Sequence, residues 1–286
     1  MSSQHSTASL GRVYLRNPQP DAVERCDAYG WHAPFDLARA IDEHLAFRAE
    51  LEAVGARVVT GTAVPGDPDA IYTFDPVLVT DRGAIALRPG KDGRRDEPEA
   101  MLRDLAALGL PPMGTMKDPA TAEGGDMFWL DETTLLVGRG YRTNDAGIAQ
   151  LRSWLPDSTF HVFDLPHQGG PGRCLHLLSL LSPLADDLVV GFLPLLPVRL
   201  VELLQHRGIG LVEVPEEELE TMGPNVLALA PRMALALEGN PETRRRMESA
   251  GVDVRTYRGD EISRKGDGGP TCLTRPLERA PLIASR

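Results

Sequence analysis

Two hydrophobic rhythms alternate along this chain. Short runs rich in Val, Leu, Ile and Tyr read as strands, and longer stretches repeat apolar residues at helical spacing. Residues 12–15 form the first strand-like run. Residues 36–54 set Leu37, Ile41, Leu45, Leu51 and Val54 near one helical face, and Gly55 ends that helix because glycine readily takes the left-handed cap conformation. A strand over 57–60 follows.

The order then returns. Residues 76–80 and 84–87 read as paired strands across Asp81, Arg82 and Gly83, followed by a helix over 97–108. A second pair spans 127–130 and 134–137, turning at Asp131 and Glu132, with a helix over 145–155 and a strand over 159–163. A third pair covers 175–180 and 187–192, followed by a helix over 198–206 and a strand over 211–214. The last pair covers 225–229 and 233–237, with a helix over 241–250 and a strand over 252–257. Each unit runs roughly 45–55 residues, and about five such units predict a closed radial array, the last completed by the N-terminal segment. The competing reading is an ordinary α/β domain with coincidental spacing. No low-complexity stretch or linker divides the chain, so residues 1–286 are expected to form one domain.

Composition narrows the classes. With 42% hydrophobic and 25% charged residues, the 286-residue chain is neither disordered, collagenous nor a coiled coil. A net charge of −11 argues against nucleic acid as a partner, since phosphate contacts need clustered basic residues. It tolerates a small cationic substrate. Three cysteines, Cys26, Cys174 and Cys272, without metal-type spacing exclude a disulfide scaffold and a zinc ribbon. Residues 1–10 lack an apolar signal core, and the longest apolar run, 188–200, is broken by Pro194 and Pro197. No membrane association and a cytoplasmic location are therefore expected.

Several residues could carry chemistry. Cys272 follows a glycine-rich loop, where an exposed thiolate is plausible chemistry, although a free cysteine is most often a small buried hydrophobe. His176 opens an apolar run and reads equally as a core histidine. In Glu123-Gly124-Gly125-Asp126 two glycines let the backbone bend an acidic side chain inward, unless this is a plain turn. Asp69 and Asp75 bracket Tyr72-Thr73-Phe74 at a strand mouth, where carboxylates hold a cation or merely cap the strand. Arg94 and Arg142 are loop arginines, the usual forks for a carboxylate when they are not simply solvated.

In this order the residues resemble the guanidine-modifying enzyme superfamily, and within it the dimethylarginine dimethylaminohydrolases. The matching pieces are Asp69-x-x-Tyr72-x-x-Asp75-Pro76, Arg88-Pro89-Gly90-x-x-x-Arg94-Arg95-x-Glu97, Glu123-Gly124-Gly125-Asp126, Gly138-x-x-x-Arg142-Thr143-Asn144-x-x-Gly147, Cys174-Leu175-His176-Leu177 and Gly268-Gly269-x-x-Cys272-Leu273-Thr274-Arg275-Pro276-Leu277. They extend from about residue 12 to 278. The resemblance implies a five-bladed pseudo-symmetric α/β propeller, the pentein fold, with its site at the pseudo-fivefold centre.

It also implies a catalytic trio of Cys272, His176 and Glu123. Asp75 would grip the guanidinium, Asp69 would support the pocket, and Arg94 and Arg142 would meet the amino acid's α-carboxylate. Residues 15–21 match the family's mobile lid. No metal or organic cofactor is implied, and a homodimer is left open. Phe74 stands where an acidic residue is common, and Tyr141 where a lysine is often seen. The ring of Phe74 is expected to line the guanidinium pocket and favour N-methyl groups. His176-Leu177-Leu178 lacks the His-x-Asp of arginine deiminases and amidinotransferases. Three functions follow as expectations: a hydrolase of methylated arginine, a hydrolase of free arginine or another guanidino compound, or a non-catalytic binding protein on the same propeller.

Overall fold

The computed structural model describes residues 4–172 and 175–280. The chain begins in β1 (Ser9–Leu15), α1 (Leu37–Ala53) and β2 (Arg57–Thr60). It continues through β3 (Val77–Thr80), β4 (Gly83–Ala86), α2 (Glu97–Ala107) and β5 (Pro112–Thr115), then β6 (Met127–Trp129), β7 (Thr134–Arg139), α3 (Asp145–Trp154) and β8 (Thr159–Asp164). Next come β9 (Leu181–Ala185), β10 (Leu188–Gly191), α4 (Val198–His206) and β11 (Gly210–Glu213). The chain closes with β12 (Leu227–Ala230), β13 (Met233–Leu237), α5 (Pro241–Ser249), β14 (Asp253–Tyr257) and β15 (Arg275–Ala280).

These strands form five three-stranded sheets. In each, a first strand pairs antiparallel with a second, which runs through a helix to a parallel third, as in β3–β4–β5. The predicted closure holds: β15 pairs antiparallel with β1, and β1 pairs parallel with β2, so the two ends of the chain build one sheet. The chain is a five-bladed α/β propeller of the pentein type.

Local chemistry fixes the helix starts. Asp36 caps α1 by accepting the Arg39 N–H at 3.1 Å, and Asn144 caps α3 by accepting the Gly147 N–H at 2.8 Å. The first strand of each sheet is an edge strand, paired on one side only. That is why Pro183 in β9 and Pro276 in β15 are tolerated, since an edge strand does not need every N–H.

Two differences from the sequence reading matter for the site. Residues 175–180 are not a strand. Leu177–Ser179 is a 3-10 turn, braced by the His176 N–H donating to Ser179 Oγ at 3.1 Å, and the strand starts at Leu181. The strands β5 and β15 were not predicted, because Pro112 and Pro276 interrupt the local strand pattern. No described helix is long and apolar enough to cross a membrane.

Candidate active site

The five first strands start at the same end of the propeller, and each is preceded by a loop with a polar residue of the site. Asp75 precedes β3, Glu123 precedes β6, His176 precedes β9, Asn225 precedes β12 and Cys272 precedes β15. Hydrogen bonds link each loop to the next. The Phe74 N–H donates to the Cys272 carbonyl at 3.1 Å, and the Gly124 N–H to the Asp75 carbonyl at 3.0 Å. The Leu177 N–H donates to Asp126 Oδ1 at 3.1 Å, and Asn225 Nδ2 to the Leu178 carbonyl at 3.3 Å. The Thr271 N–H donates to Asn225 Oδ1 at 3.3 Å, which closes the ring.

Within this ring His176 Nε2 lies 2.6 Å from Glu123 Oε2, and Nδ1 lies 4.0 Å from Asp75 Oδ1. The glycine pair makes this approach feasible. A Cβ on Gly125 would sit 2.4 Å from His176 Nδ1, and one on Gly124 would sit 2.0 Å from the Phe74 carbonyl oxygen. The Gly125 N–H also donates to Asp75 Oδ1 at 3.0 Å.

Glu123 is fully buried yet ionised. Burial pushes its carboxyl up, but the hydrogen bond and charge of His176 and the charges of Arg142 and Arg94 outweigh that and hold it well below the usual range. Its other oxygen accepts from the Gly90 N–H at 2.7 Å and from Arg142 Nη1 at 3.1 Å. Asp126 is the reverse case: burial pushes its carboxyl up to about 7.

Arg94 differs from expectation. Rather than an open fork for a substrate carboxylate, its guanidinium is engaged inside the protein. Nη1 donates to Asp75 Oδ2 at 2.7 Å, Nε to Glu97 Oε1 at 2.5 Å, and Nη2 to Glu97 Oε2 and the Tyr72 carbonyl. Buried carboxylates need a counter-charge, and Arg94 is theirs. Asp69 acts as a support. It accepts from Trp31 Nε1 and from Lys91 Nζ, both at 2.8 Å, and lies 3.9 Å from Arg94 Nε. Lys91 was not anticipated from the sequence.

Phe74 is a correction. Its ring does not face the guanidinium pocket; it belongs to the core cluster with Phe128, Leu177 and Leu178, and the Arg275 guanidinium sits 3.7 Å from its centroid. Phe74 and Asp75 sit in the turn and bend before β3, which sends Asp75 to His176 and Phe74 into the core. The expected lid over 15–21 is tied at both ends. Arg16 is buried 3.8 Å from Glu97 Oε2, and Asp21 accepts the Gly66 N–H at 2.9 Å.

Cys272 is half-buried, while Cys26 is in the core. Cys174 lies outside the described residues. Asn225 Nδ2 donates to Cys272 Sγ at 3.5 Å. The sequence did not single out Asn225, which reads there as the start of a strand. It also lines a cavity of about 280 Å³ with Leu175, Ser179, Met222, Glu220 and Asp267. Among the described residues, Asp75, Glu123 and His176 are the trio whose ligand atoms lie within 4.8 Å of one another, close enough to hold a metal ion. Both Glu123 oxygens, both Asp75 oxygens and His176 Nε2 are already engaged in the contacts above.

Comparison with known proteins agrees with the fold. An arginine deiminase family model matches residues 185–279. A dimethylarginine dimethylaminohydrolase from Streptomyces coelicolor is 28% identical over 268 residues, covering 92% of this chain and 95% of that one. An arginine deiminase from Rhodococcus opacus is 30% identical over 194 residues, covering 57% of this chain and 47% of the deiminase. Among solved structures, the dimethylarginine dimethylaminohydrolase of Pseudomonas aeruginosa with citrulline superposes with a TM-score of 0.76 at 24% identity, covering 93% of this chain and 98% of that one. The chain thus shares the pentein fold and, over most of its length, is similar to the dimethylarginine dimethylaminohydrolases.

Proposed function

We propose that the chain, acting as one catalytic domain, is a thiol hydrolase of guanidino compounds that converts Nω-methylated arginine and water to citrulline and a methylamine. The observation that carries this reading is the 2.6 Å contact between His176 and Glu123, both buried, in a ring that also holds Asp75 and Cys272.

A guanidinium carbon is a poor electrophile because its charge is spread over three nitrogens. It calls for a strong nucleophile, and thiolate is the best side chain available. A cationic substrate beside Cys272 favours the ionised thiol. Sγ attacks the guanidinium carbon and forms a C–S bond, giving a tetrahedral adduct. The C–N bond to the methylated nitrogen then breaks as His176 protonates the departing amine. The covalent thiouronium that remains is attacked by water, which gives its proton to His176. The C–S bond breaks, returning the electron pair to Sγ and releasing citrulline.

Glu123 stabilises the imidazolium of each proton-bearing step. Asp75 grips the guanidinium, which displaces Arg94 from one carboxylate oxygen. Arg142 meets the α-carboxylate, and Asp69 holds Lys91 and Trp31 around the pocket.

A second reading, free arginine as substrate, is favoured by the arginine deiminase family match over 185–279. Mass-spectrometric product analysis over a panel of guanidino compounds separates them. Citrulline with methylamine or dimethylamine is the expected product pair. Ammonia released faster from arginine supports the second reading. No turnover of any member returns the chain to a binding role.

A further inference from the structure

Behind the ring of loops the five first strands enclose a channel. β3 contributes Leu78, β6 Met127 to Trp129, β9 Pro183, β12 Leu227 and Ala228, and β15 Arg275 and Arg279. Most of this lining is apolar, and its charged members are the two arginines. Both are buried, at 5% and 3% exposure, and among the described residues neither has a carboxylate within 4.0 Å.

Their donors are only partly used. Arg279 Nη1 donates to the carbonyls of Ala8 at 2.5 Å and Ala228 at 3.0 Å. Arg275 Nη2 donates to the Phe74 carbonyl and its Nε has no acceptor among the described residues. The indole N–H of Trp129, a third polar group in the lining, also lacks one. Burial works against the charge, pushing Arg279 down to about 9; at Arg275 the charge of Asp75 partly offsets a like fall.

A buried guanidinium without a counter-ion is costly, and an N–H without an acceptor adds to that cost. The side-chain nitrogens of this channel are all donors, and its side-chain oxygens are the hydroxyls of Ser6 and Thr271. We propose that the channel binds one small monovalent anion, held by Arg275, Arg279 and Trp129. Its volume of about 40 Å³ sets the size. A water needs roughly 10–15 Å³ by the same measure, so a halide or a carboxylate head fits and an amino acid does not. The proposal is independent of the substrate reading above.

The test is the Tm of the full chain titrated with sodium bromide against sodium gluconate at constant ionic strength, paired with bromide anomalous diffraction. A saturable rise in bromide is expected, with an anomalous peak between Arg275, Arg279 and Trp129. Parallel chloride and formate titrations distinguish a halide site from a carboxylate site by which saturates at lower concentration. Arg279→Met is expected to raise the half-saturating bromide concentration roughly tenfold or more, the loss of one charge-assisted hydrogen bond. Should that variant fail to fold, Trp129→Phe removes only the indole N–H and is expected to shift it roughly threefold. Equal Tm in bromide and gluconate with only water in the channel overturns the proposal. A bromide effect that neither variant changes does so as well.

Discussion

His176 and Glu123 share a 2.6 Å contact at the centre of five linked loops, with the carboxylate fully buried and the imidazole nearly so. Glu123 is held there by three donors of different kinds: a backbone N–H, a guanidinium and an imidazole. Glu123→Gln keeps the shape and removes the charge that favours a protonated His176. A fall in kcat of roughly a hundredfold or more is expected, the range of general acid–base catalysis. Steady-state kinetics with a methylated arginine checks it, alongside a far-UV spectrum for the fold. Activity within a few-fold of wild type would make the pair structural.

Asn225 fills the one position of the ring that no motif announced. Its donation to Cys272 Sγ would favour thiolate over thiol. Asn225→Ala is therefore expected to slow alkylation of Cys272 by a haloacetamidine by roughly tenfold at neutral pH. Asn225→Asp, which sets an anion beside the sulfur, should slow it further. Peptide mapping should find Cys272 modified ahead of Cys26 in the wild type. Equal labelling of the two, or an unchanged rate in both variants, would remove Asn225 from the account of the thiol.

The direction of Phe74 reverses an expectation. From the sequence, Phe74→Glu should move preference from methylated arginine toward arginine. With the ring against Arg275 on the channel side, the new carboxylate would instead pair with that guanidinium. The ratio of kcat/KM for the two substrates is expected to stay within about threefold, a difference under roughly 0.7 kcal/mol. A tenfold or larger shift would put Phe74 in the pocket.

Asp67 supplies a pH signature of the acid cluster under Arg94. Burial, followed by the charge of Glu97, pushes its carboxyl from 3.8 up to about 8. A folded-state value above the unfolded one means that the stability it contributes is fully present below about pH 4 and is lost as pH rises through about 8. Asp67→Asn mimics the protonated form and keeps an oxygen for the Asp69 N–H. The variant should match wild type within ~1 kcal/mol near pH 4 and exceed it by ~3 kcal/mol or more at pH 9. Urea unfolding at both pH values measures this. A wild type that gains on the variant as pH rises would contradict it.

Much of this site is written locally. The Gly124–Gly125 pair is legible because a side chain at either position would collide with Phe74 or His176. The repeat is legible because each blade restarts the same strand, strand, helix, strand pattern. What stays hidden depends on which side of the backbone a residue faces. Phe74 and Asp75 are neighbours with opposite destinations, and the turn before β3 that parts them is set by the packed loops around it. Arg94 looks like a ligand fork until Asp75 and Glu97 are brought to it from other segments. Asn225 and Arg275 looked unremarkable because one begins an apolar run and the other precedes a proline. Cys174, part of the histidine motif, lies outside the described residues.

The most direct test of the Cys272, His176 and Glu123 mechanism is to trap its covalent stage. His176→Ala is mixed with dimethylarginine, quenched in acid and analysed by intact mass and peptide mapping. The expected result is a protein heavier by the substrate less dimethylamine, with the added mass on the peptide carrying Cys272. Turnover at near wild-type rate by His176→Ala would contradict the mechanism. So would the same mass addition on Cys26, or substrate consumed by Cys272→Ser.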